Sequence, residues 1–295
     1  MSIKVLVTGA RGLLGSAVAE HYRTDCEIQA FDHQQLDITN EAAVMASIQE
    51  CKPTLIINCA AAARVDACES EFEKAWAVNA VAPGVLARAA DMVGADIIHI
   101  STDYVFNGEK CEPYTIKDEP NPCSAYGRSK LAGERAVITA TTRHYVVRVA
   151  RLFGLHGNNF GSRIFDNLQQ AADTDKKIKV FNYPLSQATY LPDLITRLRE
   201  IATHSIYGLY QVTNSGPIVS WYEFARYAVE LMGISKELIE TAEYMEFALP
   251  AARPYYSGLR CLTSEQLGFV PMRDWRDALV EMYRHWCTIR NAQKI

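Results

Sequence analysis

The sequence predicts an α/β protein whose large domain is a doubly wound parallel sheet, joined to a smaller α/β domain in the second half of the chain. Three observations support this fold class. Short β-branched runs alternate with segments of helical periodicity through residues 3–154. The runs are apolar almost throughout, as in strands that are covered on both faces. A glycine-rich turn separates the first strand from the first helix, which is typical of doubly wound sheets.

The predicted elements of the first half follow one another without a long interruption. The strands are IKVLVTG, EIQAFD, TLIINCA, DIIHIST and HYVVRVARLFG. The helices between them are LLGSAVAEHY, NEAAVMASIQEC (which opens at Asn40), AWAVNAVAPGVLARAADMV and YGRSKLAGERAVITA. Strand and helix therefore alternate in the order that builds a parallel sheet with helices on both faces.

The second half of the chain is less regular. Its helical segments are RIFDNLQQAAD, SWYEFARYAVELMG and DWRDALVEMYRHWCTIR, and its short strands are KIKVF and GLYQVT. We expect residues 1–155 and part of 180–205 to form the large domain, and residues 156–180 and 205–295 to form the smaller one. The smaller domain should pack at the carboxyl edge of the sheet, where open α/β folds bind their ligands.

Composition and charge exclude several classes of protein. The chain has 295 residues and a formal net charge of −4, without a long basic run, so bulk charge does not favour nucleic acid or an anionic membrane. Its apolar stretches are too short to cross a bilayer and its N-terminus has no secretory pattern, so we expect a cytoplasmic protein. The eight cysteines form no C-x-x-C pair and have no histidine at metal-binding spacing, so no metal site is expected.

The glycine-rich turn predicts a dinucleotide site. Gly9, Gly12 and Gly15 have G-x-x-G-x-x-G spacing between a predicted strand and a predicted helix. Such a turn lets the backbone approach a pyrophosphate at the helix N-terminus, as in a Rossmann fold. Asp32 ends the second strand and suits the ribose hydroxyls of NAD, whereas Arg11 suits the 2′-phosphate of NADP. The sequence leaves open whether the cofactor is NAD(H) or NADP(H).

Tyr126 and Lys130 lie four residues apart in a predicted helix, so their side chains share one face with Cβ atoms roughly 5–6 Å apart. We expect the ammonium to favour the phenolate and to lower the tyrosine pKa below its free value of about 10. Thr102 ends the strand DIIHIST, where its hydroxyl can bond a carbonyl oxygen that gains negative charge. With the glycine turn, these residues predict hydride transfer on a carbonyl or an alcohol.

These motifs make the chain similar to the extended short-chain dehydrogenase/reductases, and within them it resembles the dTDP-4-dehydrorhamnose reductase family. The resemblance covers most of the chain and rests on VTGARGLLG, NCAAAARVDACESEFEKAWAVNA, STDYVFNG, YGRSKLAGE, GNNF and RPYYSGL. It implies a catalytic set of Thr102, Tyr126 and Lys130, with Tyr126 as the acid. The implied reaction is NAD(P)H-dependent reduction of dTDP-4-dehydro-L-rhamnose to dTDP-L-rhamnose for cell-surface polysaccharide. The sequence leaves open whether the protein forms a homodimer.

The resemblance also assigns residues to the two sides of the site. The implied cofactor residues are Gly9, Arg11, Gly12, Leu13, Leu14, Gly15, Asp32, Asp37, Ile38, Ala60, Ala61 and Asn79, together with Tyr126 and Lys130. The implied substrate residues are Asp103, Tyr104, Asn159, Arg253 and Ser257. Arg253 has the planar fork that pairs with diphosphate oxygens. The chain departs from the family pattern on the substrate side, at residues 151–153 and 185–189 and at Gly258.

Tyr104 favours a reduction among the reactions that the resemblance allows. Sugar-nucleotide dehydratases similar to this chain carry a glutamate at that position as an extra base for elimination, and here the position is tyrosine. Two alternatives stay open. One is an epimerase or dehydrogenase of another nucleotide sugar, which would hold NAD tightly. The other is a non-catalytic dinucleotide-binding protein that resembles the regulatory subunit of methionine adenosyltransferase.

Overall fold

The structure of the protein is a computed structural model that describes residues 3–155, 157–242 and 249–292. Its strands are β1 (Lys4–Thr8), β2 (Glu27–Phe31), β3 (Leu55–Asn58), β4 (Asp96–Thr102), β5 (His144–Val149), β6 (Leu152–Phe153), β7 (Ile178–Phe181), β8 (Thr189–Tyr190), β9 (Gly208–Val212) and β10 (Ile239–Ala242). Six of them form a parallel sheet in the order β2-β1-β3-β4-β5-β9. The pairs β6-β8 and β7-β10 form two smaller sheets. The doubly wound parallel sheet predicted from the sequence is therefore confirmed.

The helices connect the strands and cover the sheet. They are α1 (Leu13–Tyr22), α2 (Glu41–Cys51), α3 (Ala67–Ser70), α4 (Phe72–Trp76), α5 (Ala82–Val93), α6 (Ala125–Ala140), α7 (Ile164–Thr174), α8 (Leu191–His204), α9 (Trp221–Met232), α10 (Leu262–Gln266) and α11 (Trp275–Ala292). Asn40 caps α2 through a bond from Ala43 N, as its position before the helix predicts. Ser124 caps α6 in the same way, through Gly127 N, and so fixes where the helix that carries Tyr126 begins.

Two apolar cores lie on opposite faces of the large sheet. Val5 and Val7 of β1 face α1 and α8, whereas Leu6 between them faces α2, α5 and α6. All three side chains are fully buried. Burying an aliphatic side chain of this size contributes about 1.5–3 kcal/mol. The strand ends therefore stand at the edge of a rigid platform, which is where functional side chains can be held most precisely.

The helix predicted over residues 75–93 is interrupted. It consists of the end of α4, a π-helical turn over Ala77–Val81, and α5. α6 packs very closely against this turn at Gly133, where a Cβ would collide with the carbonyl oxygen of Asn79. Such π-turns are frequent at functional sites, and this one places the Asn79 side chain under the loop after β3.

The strand predicted over residues 144–154 is also shorter than expected. β5 ends at Val149, and Arg151 has a left-handed backbone with φ 42°, so the chain leaves the large sheet before β6. A left-handed conformation is uncommon for arginine and is difficult to anticipate from an apolar run. α8, which the sequence analysis did not specify, packs on the same core as α1.

The second half of the chain has an aromatic core of its own. Phe153, Phe165, Phe224 and Trp275 are buried together in it. β9 is the exception, because it pairs with β5 in the large sheet although we expected residues 205–295 to lie in the smaller domain. None of the helices in the described residues combines the length and apolar character that crossing a bilayer requires.

Candidate active site

A cavity of about 530 Å³ opens at the carboxyl ends of the large sheet's strands, between the sheet and the second half of the chain. This size suits a small-molecule ligand. One side, which we call the sheet wall, comprises Gly12, Leu13, Leu14, Cys59, Ala61, Thr102, Tyr126 and Lys130. The opposite side, which we call the loop wall, comprises Arg151, Asn159, Pro184, Ser186, Trp221 and Ser257. Asp103 and Tyr104 also line the cavity, and the Asp103 carboxylate connects the two walls through Thr102, Ser186 and Ser257.

The glycine turn forms a cradle that side chains could not fit. Gly9 has φ 71°, and a Cβ there would come within 2.7 Å of Ala60 N. A Cβ on Gly15 would collide with the carbonyl oxygen of Gly9. Gly12 is the residue before α1, so the free N–H groups of that helix point toward the cavity side of the turn. The cradle fits the pyrophosphate of a dinucleotide, as its spacing predicts.

Arg11 and Asp32, which suggested opposite cofactors, form an ion pair with each other. Arg11 Nε lies 2.7 Å from Asp32 Oδ2. The other carboxylate oxygen of Asp32 accepts bonds from Gln34 N at 2.8 Å and Gln35 N at 3.0 Å. Asp32 is buried and the Arg11 side chain is exposed. Because the two charges offset one another, the turn presents no strong net charge to an adenosine ribose.

The remaining residues implied for the cofactor side have differing positions. Ala61 lines the cavity, and Ala60 lies against Gly9. Asn79 is fully buried, where its side chain bonds both the N–H of Ala62 (2.8 Å) and its carbonyl oxygen (3.1 Å), and it donates to Ser129 Oγ at 3.1 Å. Asn79 therefore supports the loop that follows β3.

Among the residues that the structure describes, Asp37 and Ile38 are not part of the cavity lining. Asp37 is exposed, and its carboxylate accepts bonds from Thr39 N at 3.0 Å and Thr39 Oγ1 at 2.7 Å. The side chain of Ile38 is buried in the core beside α2 and α5. In this structure Asp37 stabilises the turn that follows β2, and Ile38 belongs to the core.

The structure brings Thr102, Tyr126 and Lys130 to the same wall of the cavity. Tyr126 is half-buried on α6, and its ring meets that of Tyr104 edge to face with centroids 5.9 Å apart. Lys130 is buried one turn further along the helix, and its Nζ donates to the carbonyl oxygen of Ile100 at 2.7 Å. Thr102 ends β4, where its Oγ1 accepts a bond from Tyr104 N at 3.1 Å and donates to Asp103 Oδ1 at 3.0 Å.

The expected lowering of the Tyr126 pKa is wrong for this structure. Burial raises the pKa of Tyr126 well above its usual value, and a hydrogen bond with Thr102 only partly offsets this. Lys130 is the group whose pKa falls, to about 8, because burial disfavours its ammonium, while the nearby charge of Glu134 opposes the fall. The sequence spacing correctly indicates a common face but not how far burial disfavours the charged forms of the two side chains.

The carboxylate of Asp103 is hydrogen-bonded to other side chains of the protein. It is buried, and its carboxylate accepts bonds from Thr102, from Ser186 Oγ at 3.1 Å and from Ser257 Oγ at 2.5 Å. Burial raises the pKa of Asp103, and the hydroxyl donors together with Arg151 lower it in part. Ser257, which the resemblance placed at the substrate, is itself fully buried against this carboxylate.

Asn159 and Arg253 are likewise engaged. Asn159 lines the cavity, but its amide donates to the carbonyl oxygen of Leu152 at 3.0 Å and accepts from Ser162 N at 2.8 Å. Arg253 lies outside the lining and forms a two-pronged pair with Asp66, with both N–O distances 2.6 Å. This ion pair joins residues 251–257 to the loop after β3.

The residues predicted for the site do not include Arg151 and Trp221, which line the loop wall. The Arg151 guanidinium lies 4.5 Å from the centre of the Trp221 ring and donates to the carbonyl oxygens of Val219 and Pro184, both at 2.6 Å. Burial lowers the pKa of Arg151 to about 10. The only signal in the sequence is the departure from the family pattern at residues 151–153, which marked the place without indicating the contacts.

The fold and the cavity are those of an extended short-chain dehydrogenase/reductase. The chain belongs to the family described as the RmlD substrate binding domain, whose model matches residues 3–287. It is 38% identical to dTDP-4-dehydrorhamnose reductase of Mycolicibacterium smegmatis over 282 residues, covering 95% of this chain and 84% of that protein. It is 34% identical to the spore coat polysaccharide biosynthesis protein SpsK of Bacillus subtilis over 279 residues, covering 94% of this chain and 96% of that one.

A solved structure agrees with these relatives. The crystal structure of dTDP-4-dehydrorhamnose reductase from Bacillus anthracis in complex with NADP matches this fold with a TM-score of 0.91 at 34% identity. The match covers 97% of this chain and 100% of that one. The family resemblance drawn from the sequence motifs is confirmed.

Proposed function

We propose that the protein is an NAD(P)H-dependent reductase of a 4-keto nucleotide sugar, and that it converts dTDP-4-dehydro-L-rhamnose to dTDP-L-rhamnose for polysaccharide synthesis. The observation that carries the proposal is the placement of Thr102, Tyr126 and Lys130 on one wall of a cavity that also meets the glycine cradle. The relatives named for this reaction, and the one crystallised with NADP, support the same choice.

Tyr126 is the proton donor of the proposed reaction. A reduction consumes a proton at the carbonyl oxygen, so its acid must enter the reaction protonated. Burial raises the pKa of Tyr126, which keeps the phenol protonated at neutral pH. Bound NAD(P)H supplies the hydride, and the tyrosine supplies the proton as negative charge develops on the sugar oxygen.

Lys130 and Thr102 assist that proton transfer. With a pKa of about 8, Lys130 is charged at neutral pH and stabilises the phenolate that Tyr126 leaves behind. The single hydroxyl hydrogen of Thr102 is directed to Asp103. To donate to the substrate oxygen it must rotate, and Asp103 then keeps its bonds from Ser186 and Ser257. Asp103 thus stays satisfied through the proposed cycle.

We propose that Tyr104, Asp103 and Asn159 border the sugar, because they line the cavity near Tyr126. Ser257, which bonds Asp103, and Arg253, which pairs with Asp66, complete the proposed substrate side. Residues 1–155, with part of 180–205, form the cofactor domain in this proposal, and residues 156–180 with most of 205–295 form the substrate domain. Asn79, Ala60 and Ala61 support the cofactor side.

The proposed cofactor is NADP(H) or NAD(H). Asp32 is suited to the ribose hydroxyls of NAD, and Arg11 is suited to the 2′-phosphate of NADP. Their ion pair offsets both preferences, which supports use of either dinucleotide. We further propose a cytoplasmic homodimer. Eight cysteines without a disulfide suit a reducing compartment.

The direct test incubates the purified protein with dTDP-4-dehydro-L-rhamnose and either NADPH or NADH. We expect consumption of one reduced dinucleotide for each dTDP-L-rhamnose formed. Failure to oxidise NADPH or NADH with this sugar and with a panel of other 4-keto nucleotide sugars would contradict the proposal. Release of tightly held NAD(H) when the protein is denatured, without such consumption, would indicate an epimerase instead.

A further inference from the structure

A buried ion pair lies behind the catalytic lysine. Arg148 of β5 donates from Nε to Glu134 Oε1 at 2.9 Å and from Nη2 to Glu134 Oε2 at 2.7 Å. The two side chains are only 3% and 2% exposed. Ser101 Oγ donates to the same carboxylate at 2.5 Å, and the guanidinium lies 5.1 Å from the centre of the Phe106 ring. A single carboxylate therefore receives donors from two strands.

The stability of the fold does not by itself explain why this ion pair is buried. Taking two charges out of water costs several kcal/mol per ion, and well-packed apolar residues are often as stable or more stable in their place. Arg148 Nη1 is buried and has no hydrogen-bond partner in the described residues, so the pair is not fully satisfied. Its position is more informative than its strength, since it joins the three elements around the catalytic set.

The three elements are α6, β4 and β5. Glu134 lies on α6 four residues after Lys130, so the two side chains share one face of the helix. Ser101 immediately precedes Thr102 at the end of β4, and Arg148 is its partner in the register of β4 and β5. The carboxylate thus fixes the distance between the helix that carries Tyr126 and the strand that carries Thr102.

Charged and titratable groups approach Lys130 from several elements. Glu134 and Tyr126 come from its own helix, Cys59 from the end of β3 and His99 from β4. Arg148 from β5 and Asp103 after β4 are each bound to other partners. The π-helical turn and α5 meet α6 through neutral contacts, Asn79 with Ser129 and Gly84 with Ala136. Glu134 is the carboxylate among the groups that act on Lys130.

We propose that Glu134, held by Arg148, is a positioning residue of the reaction, which keeps Lys130 charged in its buried site and holds α6 in register with the end of β4. The proposal rests on the proposed reductase function. Among the described residues, Glu134 does not line the cavity, and it acts through Lys130 and Ser101. Its carboxylate therefore influences the pH range in which the enzyme works as well as the stability of the fold.

The distinguishing measurement is the pH profile of kcat/KM, which reports groups of the free enzyme. In the wild type we expect kcat/KM to fall above pH 8, because Lys130, with a pKa of about 8, loses its charge there. Glu134→Gln removes the nearby negative charge, so the fall should begin at a pH lower by about one unit. Arg148→Lys keeps a cation beside Glu134 and should leave the fall close to its wild-type position.

Glu134→Gln leaves Arg148 buried without a counter-charge and so tests folding as well. The double variant Glu134→Gln with Arg148→Met removes both charges together, and we expect it to fold and to show a downward shift smaller than that of the single variant, because the unpaired Arg148 cation is gone as well. Asp193→Asn is the matched control, since it breaks the pair with Arg273 (2.8 Å) in the second half of the chain. It should lower Tm without moving the profile.

An unmoved profile in both the Glu134→Gln protein and the double variant, with only Tm reduced, would show that the pair is structural and would overturn the inference. That outcome is distinct from failure of the proposed function, because the inference is tested only against a wild type that turns over. A wild type without activity on 4-keto nucleotide sugars contradicts the function itself.

Discussion

The two walls of the cavity are built in different ways. On the sheet wall, Thr102, Tyr126 and Lys130 stand on a strand end and a helix whose positions follow from the parallel sheet. On the loop wall, Arg151, Asn159 and their neighbours come from segments between short elements that are distant in sequence. The hydrogen bonds of Thr102 and Lys130 stay within β4 and the residues just after it, whereas Arg151 and Ser257 of the loop wall bond to segments that are distant in sequence.

This difference indicates how the work is divided. In the proposed reaction the sheet wall supplies the chemistry, which needs a few groups in fixed positions. The loop wall supplies shape, through side chains that hold its segments together. Changes in the sheet wall should therefore alter kcat, and changes in or behind the loop wall should alter KM and stability. The following variants test that division, beginning with the largest expected effect.

Tyr126→Phe removes the proton donor while keeping the ring. We expect kcat to fall by about 10³–10⁴-fold, near the upper range for loss of a general acid, with the Kd for NAD(P)H unchanged. Steady-state kinetics and a fluorescence titration of the cofactor measure the two quantities. Tyr207→Phe is the control, since Tyr207 donates to Asp96 away from the cavity, and it should retain wild-type turnover. Near-normal turnover in the Tyr126→Phe variant would show that the sheet wall does not supply the proton donor.

Lys130→Met separates catalysis from stability. We expect kcat to fall by about 10²–10³-fold because the phenolate loses its neighbouring charge. Since the folded-state pKa of Lys130 is about 8, below its usual 10.5, the buried charge opposes folding at neutral pH. The variant should therefore be more stable than the wild type by about 2 kcal/mol at pH 7, after allowance for the lost bond to Ile100.

The gain in stability of the Lys130→Met variant should depend on pH. The unfolded lysine keeps its proton up to its ordinary pKa, so wild-type stability should rise between about pH 8 and pH 10.5, while the variant lacks this rise. Urea unfolding at pH 7, 9 and 11 gives both curves. A variant that is less stable than the wild type at pH 7 would show that the Lys130 ammonium is not penalised by burial.

Arg11→Ala tests the cofactor end of the sheet wall. Without Arg11 the Asp32 carboxylate is left uncompensated, so it should repel a 2′-phosphate. We expect kcat/KM for NADPH to fall by about tenfold while that for NADH changes little. The reverse variant, Asp32→Asn, should weaken NADH more than NADPH. Equal losses for both cofactors in Arg11→Ala would mean that Arg11 does not offset the charge of Asp32 toward the cofactor.

Arg253→Met and Asp66→Asn test the loop side, where the smallest effects are expected. Each removes one partner of the same ion pair, so both should raise the sugar KM by about the same few-fold factor and cost about 1 kcal/mol of stability. The double variant should add little to either single change, since the partners act together. A much larger KM increase in Arg253→Met than in Asp66→Asn would restore the direct diphosphate role that the resemblance implied.

The same contrast explains which parts of the structure the sequence could predict. The order of strands and helices, the glycine cradle and the common face of Tyr126 and Lys130 depend on local periodicity, and each is found in the structure. The environment that tertiary packing creates around a side chain cannot be predicted from the local sequence pattern. The direction of the Tyr126 pKa shift was wrong because water exclusion by neighbouring elements outweighs the effect expected of a nearby cation.

Contacts between residues that are distant in sequence could not be predicted from local patterns either. Arg253 pairs with Asp66 across 187 residues, and Ser257 bonds Asp103 across 154. The left-handed turn at Arg151 also gave no signal beyond a departure from the family pattern. A motif identifies the residue that the family uses, but only the packed structure shows whether that residue faces a ligand or another side chain.

The most direct test of the reductase assignment follows the hydride itself. Wild-type protein is given dTDP-4-dehydro-L-rhamnose and NADPH deuterated at the transferable position of the nicotinamide, and the product is analysed by mass spectrometry and NMR. The account predicts one deuterium at C4 of dTDP-L-rhamnose for each NADPH oxidised, and no labelled product from Tyr126→Phe on the same time scale. Unlabelled product formed without net oxidation of NADPH would contradict it.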